Sequence, residues 1–160
     1  LDGLEIVPAF RNQRRVRHSA ADMFALVADV ERYPEFVPLC RALKVRRRER
    51  NAAGLELLTA DMEVGYKAIR ETFASRVALD PAGLKIRVEY VDGPFSQLEN
   101  IWVFRDAPEG GSSTVEFFIA YEFRSRLLAA VMGSMFDAAF RKFSAAFEAR
   151  ADKIYGRAPA

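Results

Sequence analysis

A chain of 160 residues suits one domain with a substantial core, and a hydrophobic content of 51%, with thirteen Phe and five Tyr, excludes a disordered chain. The formal net charge of +2 selects neither nucleic acid nor membrane as a partner, and a single Cys excludes an internal disulfide framework. No apolar run approaches the roughly 20 residues of a membrane span, and residues 1–7 lack the layout of a signal peptide, so the chain reads as soluble and intracellular.

Residues 1–7 are taken as an extension without an assigned role. Residues 9–17 predict a strand, with Phe10 and Val16 opposite Arg11, Arg15 and Arg17. His18 leads into Ser19, an N-cap for a helix through Val30, with Asp22 in its first turn and an apolar stripe of Met23, Phe24, Leu26, Val27 and Val30. Tyr33 to Cys40 follows. Pro34 and Pro38 allow only a short helical turn between them, so this is a compact apolar connector. The periodicity then changes to alternation, and strands are predicted at 42–50, 55–64, 68–79, 84–91, 97–105 and 114–124. Short connections rich in Asn, Asp, Gly and Pro mark hairpins. Alternation is clearest where Val115, Phe117, Ile119, Tyr121 and Phe123 share a face.

Residues 125–154 predict one amphipathic helix. Leu128, Val131, Met132, Met135, Phe136, Ala139, Phe140, Phe143, Phe147 and Ile154 recur at steps of three and four. Arg126, Ser134, Asp137, Arg141, Ser144 and Glu148 form the opposite, solvated face, and Gly156 is the stop. At about 1.5 Å per residue this helix exceeds 40 Å and has to cover a broad apolar surface. A seven-stranded antiparallel sheet has one face that needs such cover. The expected architecture is α+β: a curved sheet gripping the long helix, two short helices closing one end, and an elongated apolar cavity between.

Reactive chemistry has few candidates. His18 and Cys40 are the only His and the only Cys, so no metal site with recognisable ligand spacing and no serine triad is expected. His18 reads as a residue of the strand–helix junction, and Cys40 as a buried structural thiol. Phosphate-binding and dinucleotide motifs are absent. Met132, Gly133, Met135 and Phe136 suit either ordinary core or a pocket wall that repacks around something variable. Residues 11–50 hold eleven Arg or Lys against five Asp or Glu. The Arg41, Lys44, Arg46, Arg47, Arg48 and Arg50 cluster protects a sheet edge, faces an anionic membrane, or contacts RNA or the ribosome.

The segment Ala28-Asp29-Val30-Glu31-Arg32-Tyr33-Pro34-Glu35-Phe36-Val37-Pro38-Leu39-Cys40 resembles the signature of the coenzyme Q-binding START-domain family. Asp92-Gly93-Pro94-Phe95 with Leu98-Glu99 and Trp102-Val103-Phe104 resembles a second family block. Phe123-Arg124-Ser125 and Phe147-Glu148-Ala149-Arg150-Ala151 resemble a third. The resemblance covers residues 8–156, leaving 157–160 as a tail. The family sits in the polyketide cyclase/dehydrase and lipid-transport superfamily and includes ubiquinone-binding chaperones and ribosome association toxins. It often carries Trp where this chain has Leu39, which replaces an indole N–H by an aliphatic group.

The resemblance implies a helix-grip (START/Bet v 1-like) fold and non-catalytic binding of ubiquinone, in support of respiratory electron transport or quinone biosynthesis. The alternative it implies is a toxin-like protein that interferes with ribosomal subunit association. No cofactor is expected beyond the bound lipid. The expected cavity residues are Phe36, Val37, Leu39, Phe73, Tyr90, Trp102, Phe117, Met132, Met135, Phe136 and Phe140, with the connector at residues 33–40 as a gate. Arg46 and Arg48, sharing one strand face, are the expected membrane or RNA surface. Superfamily enzymes use Tyr, Arg or carboxylates, for which Tyr66, Tyr90, Tyr121, Arg70 and Glu71 are the candidates here, although Tyr90 and Tyr121 also read as core. The expected location is cytoplasmic, or peripheral at the inner membrane (on the matrix side in a mitochondrion).

Overall fold

The computed structural model describes residues 9–156; the expected extension and tail lie outside the described residues. In chain order the elements are β1 (Ala9–Val16), α1 (Ala20–Ala28), a 3₁₀ helix (Val30–Glu35), β2 (Cys40–Arg50), β3 (Glu56–Tyr66), β4 (Ile69–Asp80), β5 (Lys85–Asp92), β6 (Phe95–Asp106), β7 (Ser113–Phe123) and α2 (Arg126–Tyr155). All ladders are antiparallel and the sheet order is β1-β7-β6-β5-β4-β3-β2. The architecture is the expected helix grip, with β1 and β2 at the edges. Register shifts at Val45/Arg47, Ala74/Ser75 and Phe95/Gln97 mark bulges, each of which bends its strand and adds to the sheet's curl.

Local chemistry explains the ends. The Ser19 hydroxyl accepts from the Asp22 N–H and caps α1, and Ser125 does the same for α2 through the Leu128 N–H. The first helix stops at Ala28, short of Val30. The chain then tightens into the 3₁₀ turn, because Pro34 disfavours α geometry in the residue before it. Gly93, at φ 145°, brings the β5–β6 turn so close to Phe73 that an added Cβ would sit 2.5 Å from the Phe73 Cβ.

The two halves of α2 are held differently. Its C-terminal half is tied by side chains: Ser144 Oγ to Asn12 at 3.0 Å, Arg14 to Glu148 at 2.6 Å, His18 Nε2 to Asp152 at 2.7 Å, and Arg150 to Glu35 at 2.5 Å. Ser144, expected on the solvated face, is therefore buried. From Arg126 to Ala138, no side-chain hydrogen bond or ion pair to another element occurs among the described residues. That half is seated by the buried Met132 and Phe136, while Val131, expected in the covered stripe, is exposed.

Glu35 gives a test of the C-terminal anchor. Hydrogen bonds from Arg32 first, and then Arg150, hold its carboxyl below the ordinary value of 4.5. A depressed folded value stabilises the fold above the unfolded value, and that contribution is lost as pH falls below 4.5 and through the folded value. Glu35→Gln should therefore be less stable than wild type at neutral pH, with the gap closing in acid. Denaturant melts on both proteins from pH 7 down to pH 3 check this; a gap independent of pH removes the tie.

Candidate functional site: an apolar cavity and its mouth

Between α2 and the concave face of the sheet lies a cavity of about 80 Å³. Its walls are the inward residues that alternate along the strands, among them Ala60, Met62, Val64, Phe73, Val77, Ile86, Val88, Leu98 and Ile119. The helix contributes Phe136, Ala139, Phe140, Phe143 and Phe147. Val30, Tyr33, Pro38, Leu39 and Leu43 complete the lining. Aromatic clusters close both ends. At the β5–β6 turn, Phe95 has ring centroids of Phe73, Tyr90, Tyr121, Phe123 and Phe136 within 5.0–6.1 Å. At the other end Phe147 meets Tyr33, Phe36 and Trp102 at 4.9–5.3 Å.

Polar groups in the wall are few and mostly engaged. The Tyr33 hydroxyl donates to the Val27 carbonyl at 2.5 Å, and burial pushes its pKa far up. Asn100 accepts from Trp102 Nε1 at 3.0 Å and donates to the Phe118 carbonyl at 2.8 Å. Ser75 is the remaining polar side chain of the wall. A small ligand held here would gain its affinity from apolar contact.

A groove with room for about 380 Å³ lies outside this wall, between α2, the connector after the 3₁₀ helix and the β3–β4 turn. Pro38, Leu39 and Ala139 line both the cavity and the groove, so the partition between them is one residue thick. Leu39 holds φ 67°, a conformation that costs energy in a residue with a side chain. Its carbonyl is held by the Gly65 N–H at 3.0 Å. Together these features mark this partition as the candidate mouth of the cavity.

Of the expected cavity residues, Leu39, Phe73, Trp102, Phe136 and Phe140 line it. The others lie elsewhere. Phe36 packs edge-on to Phe147 beneath the Arg150 guanidinium, outside the wall. Val37 is buried in the core but does not line the cavity, which its neighbours Pro38 and Leu39 do. Tyr90 turns its hydroxyl to the Phe95 N–H at 3.1 Å. Phe117 fills the core between Trp102 and Phe143. Met132 is 1% exposed and belongs to the core without lining the cavity, and Met135 faces the outer groove. Sequence reading missed Tyr33, Phe95 and Phe147. Each had a signal in the resembling blocks, but periodicity gives the face of an element and not which end of that face meets a void.

The surface expectation also changes. The bulge at Val45/Arg47 breaks the alternation that put Arg46 and Arg48 on one face. Arg46 reaches Asp61 at 2.8 Å, which alternates with the cavity-lining Ala60 and Met62 and so lies on the outer face. Arg48 turns to Glu31 of the 3₁₀ helix at 2.5 Å.

The residues that superfamily enzymes would use are not brought together in the cavity. Tyr66, Tyr90, Tyr121, Arg70 and Glu71 are all absent from the cavity wall; Arg70 faces Glu63 at 3.5 Å and Tyr66 is exposed. Burial pushes the Cys40 thiol up to about 11, which leaves it protonated and inert at neutral pH. No group of three or more His, Cys, Asp or Glu among the described residues is arranged to hold a metal ion. No helix among them is long and apolar enough to cross a membrane.

Residues 16–148 match the family described as polyketide cyclase / dehydrase and lipid transport. The ribosome association toxin RatA of Vibrio cholerae is 36% identical over 141 residues, 88% of this chain and 93% of the toxin. The mitochondrial coenzyme Q-binding protein COQ10 homolog B of Xenopus laevis is 32% identical over 142 residues, 87% of this chain but 56% of that protein. Among solved structures, an 18 kDa protein of Caulobacter crescentus is 35% identical, with a TM-score of 0.73 over 93% of this chain and 99% of its own. The Zhui aromatase/cyclase of Streptomyces sp. R1128 is 15% identical with a TM-score of 0.72, over 96% of this chain and 100% of its own, a likeness of fold alone.

Proposed function

The chain belongs to the polyketide cyclase / dehydrase and lipid transport family, and on that premise we propose that it is a non-catalytic, toxin-like binding protein that associates with a ribosomal subunit. The observation that carries this reading is the match to a ribosome association toxin over 88% of this chain and 93% of that protein's length. The β2 edge supplies the chemistry. Arg41 and Lys44 are exposed there and enter no ion pair among the described residues. The exposed pairs of Arg46 and Arg48 are each worth little, so RNA phosphates can replace their carboxylates. Sedimentation of the purified protein with ribosomal subunits tests the reading. Co-sedimentation that falls steeply with salt, weakens in Arg41→Glu/Lys44→Glu, and lowers the yield of assembled ribosomes is the expected result. No co-sedimentation at low salt overturns it.

A second reading rests on the cavity: an apolar ligand, a prenyl quinone such as ubiquinone, bound between sheet and helix. Its support is a wall whose polar groups are few and mostly used internally. The room in the closed form is the obstacle. About 80 Å³ is less than the roughly 150 Å³ that accepts benzene. A quinone ring therefore enters only after the rings of the wall repack. Solvent extraction of the purified protein followed by mass spectrometry should recover a quinone in near-stoichiometric amount. A lipid-free extract leaves the ribosomal reading alone.

A further inference from the structure

We propose that the end of the sheet carrying the β3–β4 and β5–β6 turns and the start of α2 is a docking surface for an anionic phospholipid bilayer, adjoining the start of β2, where Arg41 lies over Gly65, and independent of what fills the cavity. Six large apolar side chains are exposed among the described residues, and four of them, Tyr66, Val91, Leu127 and Val131, belong to this end. The topology brings them together. Antiparallel order puts the end of β3, the end of β5 and the end of β7 on one side. The Pro94 carbonyl of the β5–β6 turn accepts from the Arg124 N–H at 2.9 Å, which fixes that turn beside the start of α2. Leu127 is 73% exposed and Val131 49%, one helical turn apart. Their stripe continues through Met135 and Ala138 into the groove that Tyr66 borders, at the candidate mouth of the cavity.

Charge selects the occupant. Lys67, Arg124 and Arg126 lie among these apolar tips, and none forms an ion pair among the described residues. The acidic groups at the same end are Glu63, Glu71, Asp92 and Glu122; Glu63 pairs with Arg70 at 3.5 Å and Glu122 accepts from Ser96 Oγ at 2.8 Å. The first turn of α2 contains no acidic residue and places Arg126 against the helix dipole, a local cost that an anionic surface offsets. Apolar side chains projecting between unpaired cations fit a bilayer interface, where one set enters the headgroup boundary and the other meets lipid phosphates. An RNA backbone would engage the cations and leave Leu127, Val131 and Val91 in water. With no helix that crosses a membrane among the described residues, the contact is peripheral. The half of α2 that would rest on the lipid is the half held to the rest of the fold by apolar packing, with no side-chain hydrogen bond or ion pair to another element among the described residues.

Flotation with vesicles of phosphatidylcholine, alone or mixed with phosphatidylglycerol, tests this. The full chain should float only with the mixed vesicles, and less as salt is raised. Arg124→Gln/Arg126→Gln should weaken partitioning about 30-fold, at about fivefold (roughly 1 kcal/mol) per cation near the surface. Leu127→Glu/Val131→Glu should abolish it while the thermal melt stays at the wild-type temperature, because both side chains are exposed. Three results overturn the proposal. The first is no flotation on mixed vesicles at low salt, and the second is flotation that neither variant changes. The third is a dimer in sedimentation equilibrium that Leu127→Glu/Val131→Glu dissociates, which would make a second copy the occupant of this face.

Discussion

Replacing Phe95 with alanine should lower stability by about 3–5 kcal/mol. Phe95 is 1% exposed and sits at the centre of five aromatic neighbours drawn from β4, β5, β7 and α2. No neighbour can follow a truncated ring, because Gly93 already packs the adjoining turn onto Phe73. The space left should join the existing cavity and bring it into the range that accepts a benzene-sized guest. Denaturant unfolding measures the first effect. The second appears as a rise in melting temperature with added benzene in the variant and none in wild type, since a ligand that binds only the folded state stabilises it by mass action. A loss below about 1 kcal/mol would mean that this end of the sheet closes over the gap, and that Phe95 does not hold the cavity's shape.

Met132→Glu should be more damaging still. Met132 is 1% exposed and faces core rather than the cavity, so the new carboxyl has neither water nor a partner. A buried Glu can reach a pKa of about 8–9, so at pH 7 it stays protonated when folded and ionises when unfolded. The loss is roughly 1.36 kcal/mol for each of the about 2.7 units between 4.3 and 7, on the order of 4 kcal/mol. The unpaired buried carboxyl and the lost apolar packing add further cost. The sign is fixed by linkage. A raised folded value means that the unfolded state is favoured progressively as pH rises above the unfolded pKa, so the variant should regain stability as pH falls toward about 4.3. Circular dichroism across pH 4 to 8 tests this. A variant that melts cooperatively at neutral pH near the wild-type temperature would place Met132 against a hydrated space. Had Met132 lined a ligand cavity, the same change would have removed binding and spared the fold.

Both expectations rest on which buried rings face a void and which face each other, and this separates what the sequence determines from what it leaves open. The elements and their order were legible. Val115 to Phe123 alternate by twos, residues 128–147 recur by threes and fours, and Ser19 and Ser125 carry caps whose chemistry is local. The family blocks made the grip architecture and its cavity an expectation before any coordinate. Local patterns, however, assign a residue to a face and not to a position along it. Phe136 and Met132 share one helical face, yet one lines the cavity and the other is solid core, because only the curl of the sheet decides where the two surfaces separate. Arg46 and Arg48 illustrate the same limit on the outside: an extra residue in one strand, invisible to a count of alternation, sends them to different partners. The sequence by itself determined a seven-stranded sheet and a long covering helix, since these follow from periodicity and capping. Only the tertiary structure decided that the cavity is small, that Leu39 and Ala139 form its partition, and that Leu127 and Val131 are left uncovered, because each depends on where a 30-residue helix comes to rest on a twisted surface.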